Sequence, residues 1–334
     1  MKQREFTSPG PVLDETGRPV AGYSTRSMLQ YSRAAIRANA FRIKEWDFYQ
    51  VSDRHKCLQF TLGHASYAGQ VGIMFFDFEQ GEWIANFDKM LVLPFGSLHM
   101  PADAEAEHTL TYGKGGMFMQ YETRGDTTVL RCRHEGFETE LTLTRENPYS
   151  IALNVPFDES PTRFYYNQKI NCMRAAGQVK VGDKTYVFDP KDSFGLLDWG
   201  RGVWPFHNEW FWSNGTGLVG GDVFGFNLGC GFGNTKTATE NTLFWHKQAH
   251  KLGRVNIRHE ADYMQPWHLD DDEGRLSLTM TPSWDRTTRT KLLFIDNECH
   301  QVFGRFDGFA VLDDGTKLEV SELFAFAEHA VNNW

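Results

Sequence analysis

The sequence predicts an all-β chain, either a sandwich or an antiparallel barrel, and three observations carry that prediction. Short alternating or aromatic-rich segments recur along the 334 residues. Turn signals such as EQGE, YGKGG, TRGD, VGDK, DDEG and DDGT separate many of them at hairpin spacing. Helical periodicity is confined to one stretch near the N-terminus, so crossover helices for a parallel sheet are missing.

Residues 1–24, rich in Pro, Gly and Thr, read as an irregular surface arm. Ser24 to Ala40 reads as a short amphipathic helix, with Met28, Leu29, Tyr31 and Ile36 able to share a face and Ser24 or Thr25 as cap. Strands are expected at Trp46–Val51, Gln70–Phe78, Met117–Thr123, Thr128–His134, Glu138–Thr144 and Tyr186–Phe188. Others are expected at Val223–Phe232, Arg275–Thr281, Lys291–Asp296, Val302–Leu312 and Lys317–Phe326. The segment Gly69–Trp83 resembles Gly221–Thr235, which favours two copies of one unit. The expected division is an arm and helix over residues 1–40, a first unit over 41–190 and a second over 191–334.

A formal charge of −9 argues against a nucleic-acid backbone or an anionic membrane as the main partner, since both need clustered Lys and Arg. Five scattered cysteines without a CxxC pair read as reduced core thiols. The first residues lack an apolar targeting segment, and no long apolar run occurs, so a cytoplasmic protein without stable membrane insertion is expected. The spacing of His246 and His250 lacks the glutamate of a zinc helix, and GCGFGN has the wrong spacing for a dinucleotide loop. No cofactor and no metal are expected; the oligomeric state is left open.

The densest chemical signal lies in Ser193–Phe232, where ten aromatic and ten glycine residues share forty positions. Aromatic surface with closely approaching backbone is the composition of a pocket for a large apolar molecule. Asp198, in LLDWGRG, has two readings. Desolvation by its neighbours makes it a proton donor; pairing with Arg201, three residues on, makes it structural. His207 is a candidate proton shuttle or a hydrogen-bonded core residue, and strand alternation puts His207 and Glu209 opposite Asn208, Trp210 and Trp212. Glu240 and Asn241 follow the glycine-rich strand and either line a barrel mouth or sit in a solvated loop. Asp198, His207 and Glu240 are thus the catalytic candidates. Trp199, Arg201, Trp204, Trp210, Trp212, Asn227 and Asn241 are the candidate ligand contacts.

DWGRGVWPFHNEWFW, with NQKINCM at Asn167–Met173 before it and NLGCGFGNTKTATEN at Asn227–Asn241 after it, resembles the DUF2804 family over nearly the whole length. That family is similar to a lipocalin-like (calycin) group including carotenoid 1,2-hydratase, AttH proteins, tocopherol cyclase and certain fungal Diels-Alderases. The resemblance implies tandem lipocalin-like antiparallel β-barrels that hold a hydrophobic small molecule, an isoprenoid, polyene or fatty-acyl compound. The hydratase acids do not map onto this sequence residue by residue. Two functions from different classes follow: cofactor-independent acid hydration, isomerisation or cyclisation of an unsaturated lipid, or non-catalytic carriage of the same ligand. A packed structural protein is the third.

Overall fold

The computed structural model describes residues 2–292 and 295–333, so residues 293 and 294 of the expected strand Lys291–Asp296 lie outside it. The described residues form two curled antiparallel half-barrel sheets with two short 3-10 turns, Arg33–Ala35 and Ala40–Arg42. In spatial order the first sheet runs Glu82–Val92, Ala68–Asp77, Lys56–His64, Lys44–Ser52, Phe194–Val203, Ser160–Val181, Phe137–Arg145, Thr127–His134, Met117–Arg124 and His108–Lys114. The second runs Gln248–Lys251, Thr242–Trp245, Asp222–Cys230, His207–Val219, Lys317–Asn333, Ile295–Val311, Leu276–Leu292, Trp267–Asp271 and Val255–Arg258.

Local chemistry explains the hairpins. Met117–Arg124 turns Met117, Met119, Tyr121 and Thr123 inward and leaves the alternate residues half-buried or exposed. Glu135 and Gly136 link the next pair with φ of 45° and 80°, the doubly left-handed turn whose twist suits a two-residue hairpin. The 22-residue strand Ser160–Val181 is bent by a bulge between Ile170 and Met173. Its first half pairs with Ile151–Phe157, its second with Phe137–Arg145.

Alternation gives each sheet an inner and an outer face. Leu197, Trp199 and Val203 join Tyr49, Leu58, Phe60 and Tyr121 in the core of the first half-barrel. Phe226, Leu278, Met280, Val302, Phe306 and Ala327 fill the second. Between the sheets lies a seam, where Leu196, Cys57, Phe76 and Phe78 of the first sheet meet Trp212, Phe303 and Phe326 of the second.

One expectation is corrected. The helix over Ser24–Ala40 is absent: Gly22–Ser24 pairs with Ile151–Phe157, and Leu29–Gln30 pairs in parallel with Gly10–Pro11. Tertiary partners take the groups a helix would use internally. The carbonyl of Leu29 accepts from the Tyr166 hydroxyl at 3.0 Å. Leu29 and Tyr31 are both buried, two residues apart as in extended chain. Sheet membership changes between Val203 and His207. Phe194–Val203 pairs with Lys44–Ser52 on one side and Ser160–Val181 on the other, and the second sheet begins at His207. Those partners lie far away in sequence, so composition alone does not announce them.

Arg201 points into the first half-barrel and is fully buried there. It donates to Asp47 Oδ1 at 2.8 Å and to the carbonyls of Trp46, Gly200 and Pro101, with its guanidinium 4.0 Å from the Trp199 ring centre. Burial pushes the Asp47 carboxyl up and Arg201 opposes that rise. Asp47→Asn strands a desolvated cation and is expected to cost about 3 kcal/mol or more, read as a lower urea midpoint at unchanged slope.

Candidate functional site

The outer face of the first sheet carries the chemistry. Three adjacent strands put Lys44, Trp46 and Phe48, then Asp198, Gly200 and Gly202, then Lys169, Asn167 and Tyr165 on this face, each row in cross-strand register. Gly200 is required: a Cβ there would sit 2.0 Å from the Trp46 ring. The ring therefore lies flat across bare backbone and stacks on Tyr165 at 5.9 Å, with Trp204 edge-on at 5.1 Å.

Asp198 does not pair with Arg201. Residues three apart in a strand face opposite ways, so Arg201 enters the half-barrel while Asp198 enters the seam. Its partners come from the neighbouring strand: Lys169 Nζ lies 2.6 Å from Oδ1, and Asn167 Nδ2 donates to the same oxygen at 2.6 Å. The Lys169 ammonium also sits 4.1 Å from the Trp212 ring centre, a cation held between a carboxylate and a π-face.

From the second sheet, Trp212 Nε1 donates to Asn227 Oδ1 at 2.8 Å. Asn227 Nδ2 in turn donates to Glu240 Oε2 at 3.0 Å. Glu240 reaches this position over Gly229, where a Cβ would fall 2.2 Å from its Oε1. Trp210 Nε1 donates to Glu328 Oε1 at 2.8 Å, and Gln301 Nε2 to Oε2 at 3.1 Å. Burial pushes the Glu328 carboxyl up, Trp210, Arg286 and Lys169 pull it back, and Asp198 adds to the rise. Burial likewise raises the Tyr165 phenol, reinforced by Asp198, Glu240 and Glu328. Three carboxyl groups thus act on one phenol at the seam.

The candidates separate into those the seam gathers and those it does not. Asp198, Glu240, Trp212, Trp210 and Asn227 come together, and Trp204 walls the adjoining aromatic stretch. Half-buried Phe232 touches Tyr165, Trp204 and Trp210 at 4.7, 5.7 and 5.2 Å between ring centres, which places it at the outer end. Trp199 and Arg201 lie on the opposite face, in the first core. Asn241 is a scaffold residue: its Oδ1 accepts from the Gly229 amide at 2.7 Å and its Nδ2 donates to the Gly253 carbonyl at 2.9 Å. His207 is exposed, with Nδ1 3.0 Å from Asn333 Oδ1, at the strand end. Glu209 faces away from the seam toward His329, 2.8 Å from its Nε2.

Lys169, Glu328 and Tyr165 were missed by sequence reasoning. Lys169 stood in view within NQKINCM, but a lysine between a glutamine and an isoleucine gives no sign of burial. Glu328, in FAFAEHAV, had the stronger signal: one acid in an apolar run. Elsewhere, an open depression of about 380 Å³ lies on the first sheet between Phe118 and Lys180. Its Arg131 is already matched by Glu122 and Glu140, and its Arg133 lies over the Phe118 ring at 5.2 Å. Among the described residues, no cluster of His, Cys, Asp and Glu has the arrangement of a metal site.

Solved structures share the architecture. An AttH candidate from Nitrosomonas europaea aligns with a TM-score of 0.57 at 12% identity, covering 97% of this chain and 99% of that one. Kievitone hydratase from Nectria haematococca aligns at 0.56 with 9% identity, over 86% and 88% of the two chains. CghA in complex with Sch210972 aligns at 0.52 with 11% identity, over 97% of each. At these identities the likeness concerns the fold alone. No match was found among curated proteins. The family model described as a domain of unknown function, DUF2804, matches residues 3–334, and the chain belongs to that family.

Proposed function

We propose that the seam binds an unsaturated apolar molecule and protonates it, with Glu328 as the acid and Asp198–Lys169 as the fixed charge pair beside it. The observation that supports this most is a fully desolvated carboxyl, raised by burial, within the same buried group as an ion pair and the faces of Trp210 and Trp212. A carboxyl whose proton affinity burial has raised can deliver a proton to an alkene carbon, as general-acid catalysis requires. The carbon–carbon π pair forms the new C–H bond, leaving a cation on the adjacent carbon and a carboxylate on Glu328. Indole faces and the Asp198 carboxylate stabilise that cation. Water then adds and returns a proton to Glu328, which is hydration; loss of a neighbouring C–H proton to the Glu328 carboxylate is isomerisation; attack by a second double bond forms a ring and moves the cation, and proton loss from the ring product to Glu328 completes cyclisation. The solved structure whose name refers to a hydratase accords with this chemistry.

The direct test incubates the protein in D₂O with a panel of unsaturated isoprenoids and phenolic alkenes. Deuterium appearing at carbon is the expected result. Tight binding without deuterium gain identifies a carrier and overturns the catalytic assignment.

Glu328→Gln is expected to retain ligand binding and lose about 100-fold or more in deuterium incorporation. The same variant has a stability signature. A folded-state acid raised above its ordinary value of 4.5 makes the native protein the tighter proton binder. Stability is then fully present below 4.5 and declines as pH rises from there through the raised value. Urea midpoints across this range should fall less steeply for Glu328→Gln than for wild type.

Asp198→Asn removes the carboxylate that neutralises a buried ammonium, so it should lower stability by about 3 kcal/mol as well as activity. The paired change Asp198→Leu with Lys169→Met should recover most of the stability and none of the activity. Chemical denaturation of the three proteins beside the D₂O assay checks both parts.

A further inference from the structure

A second surface feature stands apart from the seam chemistry. Phe41, Met90, Val92, Leu93 and Phe95 are large apolar side chains left between 40 and 79% exposed. Four of them end the edge strand Glu82–Val92 or follow it directly. Leu93 and Phe95 adopt left-handed backbone, with φ of 51° and 43°, a conformation non-glycine residues disfavour. Their amides donate to the carbonyls of Tyr67 and Ser66, at 3.0 and 3.1 Å. The backbone is thus tied down while the side chains face solvent. Phe41 joins them from the 3-10 turn Ala40–Arg42, its ring meeting Phe95 edge-on at 4.8 Å.

The charge around this tip opposes that of the whole chain. Residues 16–44 contain five arginines, one lysine and no acid, and residues 89–101 also lack acids, in a protein of net charge −9. Arg33 packs against Gly96 and pairs with Glu45, so its charge is matched. Arg37 and Arg42 instead donate to backbone carbonyls, those of Glu15 at 2.6 Å and Trp204 at 2.8 Å, and among the described residues neither forms an ion pair with a carboxylate.

We propose that this tip docks on the surface of an anionic lipid bilayer. Protruding apolar side chains enter the headgroup–acyl boundary, and arginines behind them meet lipid phosphates. Exposed apolar side chains beside unpaired arginines match an interface that offers an apolar layer beneath anionic phosphates. Because Arg42 also bonds to the Trp204 carbonyl, docking brings the aromatic end of the seam close to the source of apolar molecules. The docking itself requires no turnover at the seam.

The test is co-sedimentation of the full chain with phosphatidylcholine vesicles, with and without phosphatidylglycerol. Wild type should pellet with the phosphatidylglycerol vesicles at low salt and lose most of that binding in molar salt. Leu93→Ser with Phe95→Ser should weaken vesicle binding by about tenfold or more, and Arg37→Gln by a smaller factor. These side chains are exposed, so unchanged melting temperatures should accompany the loss; a collapsed melt in the double variant is met by using Phe41→Ser, on the separate turn, for the same measurement. The proposal is overturned if wild type stays in the supernatant with anionic vesicles, or if the serine variants bind as wild type does. It is equally overturned if sedimentation velocity shows Leu93 and Phe95 holding a dimer that binds no vesicles.

Discussion

The strand Phe194–Val203 is buried along all ten residues and yet is charged on both faces. Buried ions are tolerated only beside partners, and here each face draws one from a different neighbouring strand. Asp47 arrives from Lys44–Ser52 to meet Arg201, and Lys169 arrives from Ser160–Val181 to meet Asp198. A slip of one residue in either pairing would send Asp198 into the apolar half-barrel and Arg201 into the seam. The two ion pairs thus specify register in the middle of the first sheet, and everything lining the seam inherits its position from that register.

Glycine then decides how closely large groups approach this strand and its counterpart. Trp46 lies over Gly200 and Glu240 over Gly229, each where a single methyl group would collide. The aromatic and glycine richness of this stretch is therefore two halves of one packing device. Rings and a carboxylate rest on exposed backbone, and the seam becomes thin enough for groups from opposite sheets to touch.

A seam needed only for adhesion would be more stable if apolar. Phe76, Phe78, Phe303 and Phe326 show what such a contact looks like in this molecule, with Phe78 and Phe303 stacked at 5.7 Å. Beside them run Gln50, Gln59, Gln301 and Arg286 in one hydrogen-bonded line that reaches Glu328. Desolvating so many polar groups brings little net stability, since each bond replaces one to water. What the line does provide is a fixed orientation for a carboxyl with a raised proton affinity, and that is the property the proposed chemistry uses.

The β class, the hairpins and the importance of the aromatic–glycine block were legible in the sequence, because each is a local property. Alternation along Met117–Arg124, the Glu-Gly turn at residue 135 and the opposite facing of Glu209 and Trp210 all depend on neighbours a few positions away. The partner of Asp198 was not legible. Arg201 is close in sequence but belongs to the other face, whereas Lys169 lies twenty-nine positions earlier and becomes adjacent only when two strands align in register. The N-terminal segment misled for the same reason: its apolar spacing suits a helix, but hydrogen bonds to distant strands outweigh that preference. Glu328 is the clearest case. By itself it is one acid in an apolar strand; strand pairing within its own sheet brings it Trp210 and Gln301, and only the meeting of two sheets adds Asp198 and Lys169. Sequence thus determined which residues could form strands and supply aromatic and acidic groups, and tertiary structure decided which of those groups meet, because desolvation and charge pairing act through space between residues the chain holds far apart.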